Sequence, residues 1–190
     1  MDDHIEVDND GRITRTIQPG NDIVRANGKS VELSGNGVFW KAYSKEIVKG
    51  DPATLLSGLS KDDADKIFNL LGDKTGVEWG KLEVMNSNGG KDFFVGSTHQ
   101  VGTEGIISEK IYDPDLKGLV QKYDHSHPLL DRYGVDIYRY SVQDENFWKD
   151  LNRLHPNASA GIRSNGKFDL YYKNGVPTDK YNNPLFRYKQ

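Results

Sequence analysis

There is no cysteine among the 190 residues, which removes disulfides, thiolate metal sites and cysteine nucleophiles from consideration. No apolar run approaches the roughly 20 residues that a membrane-spanning helix requires. There is no basic excess either: 25 Lys and Arg stand against 28 Asp and Glu, a formal charge of −3 with a pI near 5.9. A nucleic-acid binder normally carries a basic stripe, so neither nucleic acid nor membrane is expected as a partner. The start, Met1-Asp2-Asp3-His4-Ile5-Glu6, is acidic and polar, unlike a signal peptide. Internal repeats and low-complexity tracts are also missing.

The length suits one domain, with enough chain to bury a core unaided by cross-links. Residues 1–37 are punctuated by Asn9-Asp10-Gly11, Pro19-Gly20-Asn21, Asn27-Gly28-Lys29 and Gly35-Asn36-Gly37, with β-prone stretches between them. They read as an extended arm of short strands with little core of its own. A helix is expected from the N-cap Ser60, with Asp63 three residues on, Ala64, Ile67, Phe68 and Leu71 at helical spacing, and Gly72 as the stop. Thr75 to Met85 reads as a strand, residues 86–90 as a turn and Asp92 to Ser97 as the antiparallel partner. Alternation then places Glu78 on one face with Leu82 and Val84. Residues 100–118 carry no clear pattern. Leu119 to His127 reads as a strand ended by Pro128, and a second helix begins near Ser141 with Phe147, Trp148 and Leu151 to pack. Residues 158–163 and 168–172 flank Asn165-Gly166 as a hairpin. The tail from Lys173 is polar. Helices mixed with hairpins predict an α/β (α+β) fold, a mixed central sheet flanked by helices.

The chemistry concentrates in His125-Ser126-His127-Pro128, Ser141-Val142-Gln143-Asp144 and the upstream Glu78. Two histidines at i and i+2 on a strand project from one face and can reach one ion. A catalytic zinc usually takes three protein ligands and leaves one position open. Each part also has a plainer reading. The histidines could be surface residues, and Ser141 to Asp144 is nearly a capping box. Glutamate or glutamine is commoner at the box's last position, and the shorter aspartate slightly favours another task. His99 reads as a stray surface residue or a substitute ligand, His155 as a helix-end residue, and His4 as a bystander.

The combination is more specific than its parts. A glutamate on an early strand, His-Ser-His-Pro, then Ser-x-x-Asp heading a helix, resembles the JAMM (also JAB or MPN+) metalloprotease family over roughly residues 53–172. The resemblance implies a JAB/MPN-like, cytidine deaminase-like layering. His125, His127 and Asp144 match its zinc ligands. Glu78 matches the base that takes a proton from activated water and passes it to the leaving amine, and Ser141 the residue that steadies the oxyanion. It further implies hydrolysis of an amide bond in a protein or peptide, including isopeptide bonds to modifier proteins. The stretch 128–140 is longer than usual for the family, which leaves Asp131 and Asp136 as fallback ligands. The glycine-punctuated arm is similar to that of JAB-like toxin domains in bacterial polymorphic (Rhs-type) toxins. That likeness implies delivery within a larger secreted protein, failing which the chain is cytoplasmic, and an immunity protein as a partner. On this reading the chain divides into an arm or linker (1–37), a metallopeptidase domain (38–175) and a polar tail (176–190). Two rivals are a non-catalytic MPN-like scaffold and a metal-dependent nuclease toxin.

Overall fold

The computed structural model describes residues 2–18, 20–100, 105–127, 142–164, 167–173 and 176–178. Four short strands come first: β1 (Asp2–Val7), β2 (Ile13–Gln18), β3 (Ile23–Ala26) and β4 (Lys29–Glu32), followed by a short helix α1 (Val38–Ala42). Then come β5 (Tyr43–Val48), β6 (Asp51–Ser57), α2 (Lys61–Lys74), β7 (Gly80–Met85), β8 (Lys91–Ser97) and α3 (Gly105–Lys110). The last elements are β9 (Val120–Ser126), α4 (Val142–Leu154), β10 (Ser159–Ser164), β11 (Lys167–Lys173) and β12 (Val176–Thr178).

Two mixed sheets result. The N-terminal one has the order β2-β1-β3-β4, the other β12-β11-β10-β9-β7-β8-β6-β5. In the larger sheet only β9 and β10 run parallel, because α4 carries the chain across between them, as a parallel pair requires. The fold is the α/β arrangement expected, with helices against a mixed sheet.

The arm does form short strands, and they are firmly packed. Ile5, Val7, Val24, Ala26 and Leu33 are buried in one cluster with Ala64, Ile67, Phe68 and Leu71 of α2. At the β3–β4 turn Asn27 and Gly28 both have positive φ, 43° and 72°, as a two-residue hairpin turn demands. A second cluster lies across the large sheet and joins Leu82, Val84 and Tyr123 to Ile106 and Ile107 of α3 and Trp148 and Leu151 of α4.

Helix α2 starts at its expected cap, where Ser60 Oγ accepts from Asp63 N–H at 3.1 Å. It does not stop at Gly72 but runs on to Lys74. Gly72 is instead a point of close approach: a Cβ there would lie 2.7 Å from Cβ of Ser126 on β9. Strand β7 begins at Gly80 rather than Thr75. The five residues before it are diverted because their backbone groups find partners off the ladder: Gly76 N–H donates to Asn9 O at 2.7 Å, and Glu78 N–H to Gln100 O at 3.2 Å. Residues 100–118 contain α3 and a 3₁₀ turn at Pro114–Leu116. A six-residue helix with adjacent Ile106 and Ile107 has too few turns to show a period, and burial rather than propensity sustains it. The tail contributes β12, which pairs with β11. The β10–β11 hairpin is present, while its expected turn, Asn165-Gly166, lies outside the described residues.

Candidate metal centre

Alternation along β9 sorts its side chains between two neighbours. Tyr123 and His125, with His127 just past the strand end, face α4, whereas Asp124 and Ser126 face α2. On the α2 side Lys81 Nζ lies 3.2 Å from Asp124 and also pairs with Asp65, a buried network holding helix to sheet. On the α4 side the rings form a file. Phe147 and Tyr123 centroids are 4.6 Å apart, Tyr123 and His125 5.5 Å, His125 and His127 4.9 Å.

Helix α4 sets the position of the carboxylate. Asp144, Trp148 and Leu151 stand at i, i+4 and i+7, one face of a helix. Trp148 and Leu151 are buried in the sheet's second cluster, so the stripe that packs the helix also brings Asp144 over the histidines. Asp144 Oδ1 lies 3.1 Å from His125 Nε2 and Oδ2 lies 3.9 Å from His127 Nε2. The two Nε2 atoms are 3.0 Å apart. All three residues offer ligand atoms within 4.8 Å of one another.

Glu78 completes the group, with Oε1 3.9 Å from His127 Nε2. Glu78 is 8 % exposed, beside histidines that are 4 and 6 % exposed. The backbone that carries it is held on both sides. Ser97 Oγ donates to Glu78 O at 2.6 Å. Next in the chain, Trp79 N–H donates to Ser126 Oγ at 3.0 Å and Trp79 O accepts Ser126 N–H at 2.8 Å. His127 is anchored through its own N–H to Arg163 O at 2.8 Å, and the Arg163 guanidinium forks onto Asp73 of α2 at 2.9 and 2.7 Å.

The donor set suits a small divalent cation. Two imidazole nitrogens and a carboxylate are a common set of ligands for catalytic zinc, and zinc–ligand bonds of about 2.0–2.1 Å imply tetrahedral edges of about 3.3 Å. The edges at 3.0 and 3.1 Å are close to that. Paired, buried imidazoles and carboxylates without a cation would be costly to desolvate.

The other histidines are elsewhere. His99 is a half-buried wall residue, bonded through Nε2 to Thr54 Oγ1 at 2.8 Å. Burial, together with Arg12 and Lys45 nearby, holds its pKa below the ordinary histidine value against the pull of Asp8. His155 is structural: Nδ1 accepts Gly118 N–H at 3.0 Å, so Nε2 donates to Ile111 O at 2.8 Å. His4 contacts Arg25 at 3.0 Å. Ser141, the fallback ligands Asp131 and Asp136, and the rest of the 128–140 stretch lie outside the described residues. The supporting roles of Ser97 and Ser126 are not legible in the sequence, and Gly72, which reads there as a helix stop, is a contact with Ser126. Their function depends on which segments meet across the fold, and only the Ser126 position between two histidines hinted at it.

An α/β domain in which His125 and His127 from the sheet and Asp144 from α4 form a possible metal triad fits the JAB-like class. Residues 57–161, more than half of the chain, match the family described as JAB-like toxin 1, and the chain belongs to that family. No curated protein and no solved structure matches it. No helix among the described residues is long and apolar enough to cross a membrane.

Proposed function

We propose that this toxin domain is a zinc-dependent peptidase or isopeptidase, delivered to its target as part of a larger protein. The observation that carries the proposal is the convergence of four side chains from three separate segments: His125, His127 and Asp144 as ligands, with the Glu78 carboxylate beside them. Zinc held there supplies Lewis acidity, polarising a carbonyl and making water a better acid. Glu78 removes a proton from the attacking water and returns it to the nitrogen of the leaving amine as the C–N bond breaks. The products are a carboxylic acid and an amine, with Glu78 ionised again. A positioned carboxylate of this kind contributes about 10²–10⁴ in rate. The Ser141 hydroxyl is assigned to the oxyanion, a role worth a few kcal/mol. A protein or peptide carrying the amide, an isopeptide-linked modifier among the options, is the substrate, and an immunity protein protects the producer.

The test pairs metal content with toxicity. Glu78→Gln is expected to retain zinc by elemental analysis and to lose growth inhibition when expressed in a bacterial cytoplasm, whereas His127→Ala loses both. Full toxicity of the Glu78→Gln protein, with expression matched, refutes the assigned mechanism.

A further inference from the structure

The β1–β2 turn docks on the segment that carries Glu78. Its residues, Asp8 to Arg12, lie outside the stretch 57–161 shared with the family, in the part of the chain that reads as an arm. We propose that this turn is a positioning element of the active site, which holds Glu78 where a base beside His127 has to stand. The role of base rests on the peptidase reading above, whereas the docking does not.

The turn meets the segment on both sides of Glu78. Gly76 N–H donates to Asn9 O at 2.7 Å. Gly11 is buried, although turns ordinarily lie at the surface. A Cβ on Gly11 would lie 3.1 Å from Cγ2 of Val77 and 3.2 Å from Cδ2 of His99. The His99 ring centroid is in turn 6.4 Å from that of Trp79. Pressure from the turn thus falls on Val77, directly before Glu78, and through His99 on Trp79, directly after it.

An element that positions another must itself have few alternatives, and this turn is braced. Asp8 N–H donates to Arg12 O at 3.0 Å and Gly11 N–H to Asp8 O at 3.1 Å. Asp8 Oδ1 accepts from Asp10 N–H and from Arg12 N–H, both at 2.9 Å. Behind the turn, Ile5 and Val7 of β1 are buried in one cluster with α2.

The segment needs such a hold. Strand β7 begins only at Gly80, so a few bonds set the course of residues 75–79. Those from Gln100, Ser97 and Ser126 attach at Glu78 and Trp79, whereas the turn acts on Gly76 and Val77. A displacement of about 1 Å at a catalytic group is enough to cost about 10² in rate.

Two glycines of the N-terminal sheet make the test. Gly11 and Gly28 both have positive φ, 77° and 72°, so alanine strains the backbone alike at either. At Gly28, however, an added Cβ meets nothing within 4 Å. Each variant of the full chain is compared with the native one by hydrogen-exchange mass spectrometry over residues 75–79, by elemental analysis for zinc and by growth inhibition in a bacterial cytoplasm. Gly11→Ala is expected to exchange at least about ten-fold faster there, the equivalent of 1.4 kcal/mol, to keep its zinc and to lose toxicity. Gly28→Ala is expected to match the native chain in all three. Equal effects of the two alanines mean a merely structural contribution and overturn the proposal, as does toxicity kept by Gly11→Ala or zinc lost from it. Should Gly11→Ala fail to fold by circular dichroism, Asp8 decides. Asp8→Ala removes the acceptor that braces the turn and is expected to shift exchange and toxicity the same way. Asp8→Asn keeps Oδ1 and is expected to behave as native; native behaviour of Asp8→Ala overturns the proposal. Full toxicity of Glu78→Gln sinks the peptidase reading and leaves the docking to the exchange rates. Loss of toxicity in Glu78→Gln with native behaviour in Gly11→Ala sinks only the turn.

Discussion

Where Gly72 of α2 crosses β9, the missing Cβ lets a helix lie against the strand that carries both histidines. Helix propensity alone favours alanine at such a site by about 1 kcal/mol. Here the added methyl would sit 2.7 Å from Ser126 Cβ and 3.0 Å from its Oγ. A strand Cβ cannot swing aside, and overpacking of this kind costs about 1–3 kcal/mol. Gly72→Ala is therefore expected to destabilise by about 1–2 kcal/mol net in urea denaturation, the reverse of an ordinary helix substitution. It is also expected to lower zinc retention, since Ser126 is bonded to both backbone groups of Trp79, the neighbour of Glu78. Unchanged stability would mean that helix and strand part without cost. At the same scale, Glu78 is legible in the sequence and its support is not. A lone carboxylate beside an apolar strand is conspicuous in a sequence, whereas Ser97 looks like any strand-end serine until the fold puts its hydroxyl on Glu78 O.

Helix α2 joins the two sheets, and its first turn is where the joint is pinned. Asp63 Oδ1 accepts Ser34 N–H at 2.8 Å, while Oδ2 accepts Ser34 Oγ at 2.5 Å and Ser60 Oγ at 2.8 Å. Burial opposes ionisation of this carboxyl, but the bonds from Ser34 and Ser60 outweigh it and hold its pKa below the ordinary aspartate value. A carboxylate depressed on folding contributes stability that is present above its unfolded pKa and lost as pH falls through the folded one. The urea midpoint of the native chain is thus expected to fall below pH 4. Asp63→Asn, weaker at neutral pH, is expected to show a shallower fall over that window, and parallel pH profiles would remove Asp63 from the account. Both long helices were readable because their apolar residues recur at helical spacing and their starts carry cap-like residues. Helix α3 was not, because six residues give a period no room to repeat.

For the molecule as a whole, the candidate metal centre is a joint between layers. His125 and His127 come from the sheet, Asp144 from α4, and Glu78 from the segment between α2 and β7. A cation that binds only when these meet stabilises the folded state by mass action. At free zinc one hundred times the dissociation constant, the gain is about 2.7 kcal/mol. For a chain of this size, at about 2–4 °C per kcal/mol, that is a rise of roughly 5–11 °C in the melting temperature. Chelation with EDTA is expected to reverse it, and His127→Ala to show no response to added zinc. Equal melting temperatures with and without zinc in the native chain would argue against the site.

What the sequence alone determined was local: the two long helices, the β7–β8 and β10–β11 hairpins, the α/β class and the identity of the four convergent side chains. Each depends on near-neighbour periodicity, capping or a motif whose residues carry their chemistry with them. Tertiary structure decided the rest. It gave the N-terminal strands a core by packing them on α2, made Gly72 a contact instead of a stop, and diverted residues 75–79 off the ladder onto Asn9, Gln100 and Ser126. It also hollowed out a cleft lined by Arg12, Lys45 and His99. These features depend on contacts between segments far apart in the chain, and such contacts leave no period in the sequence because their partners are chosen by packing.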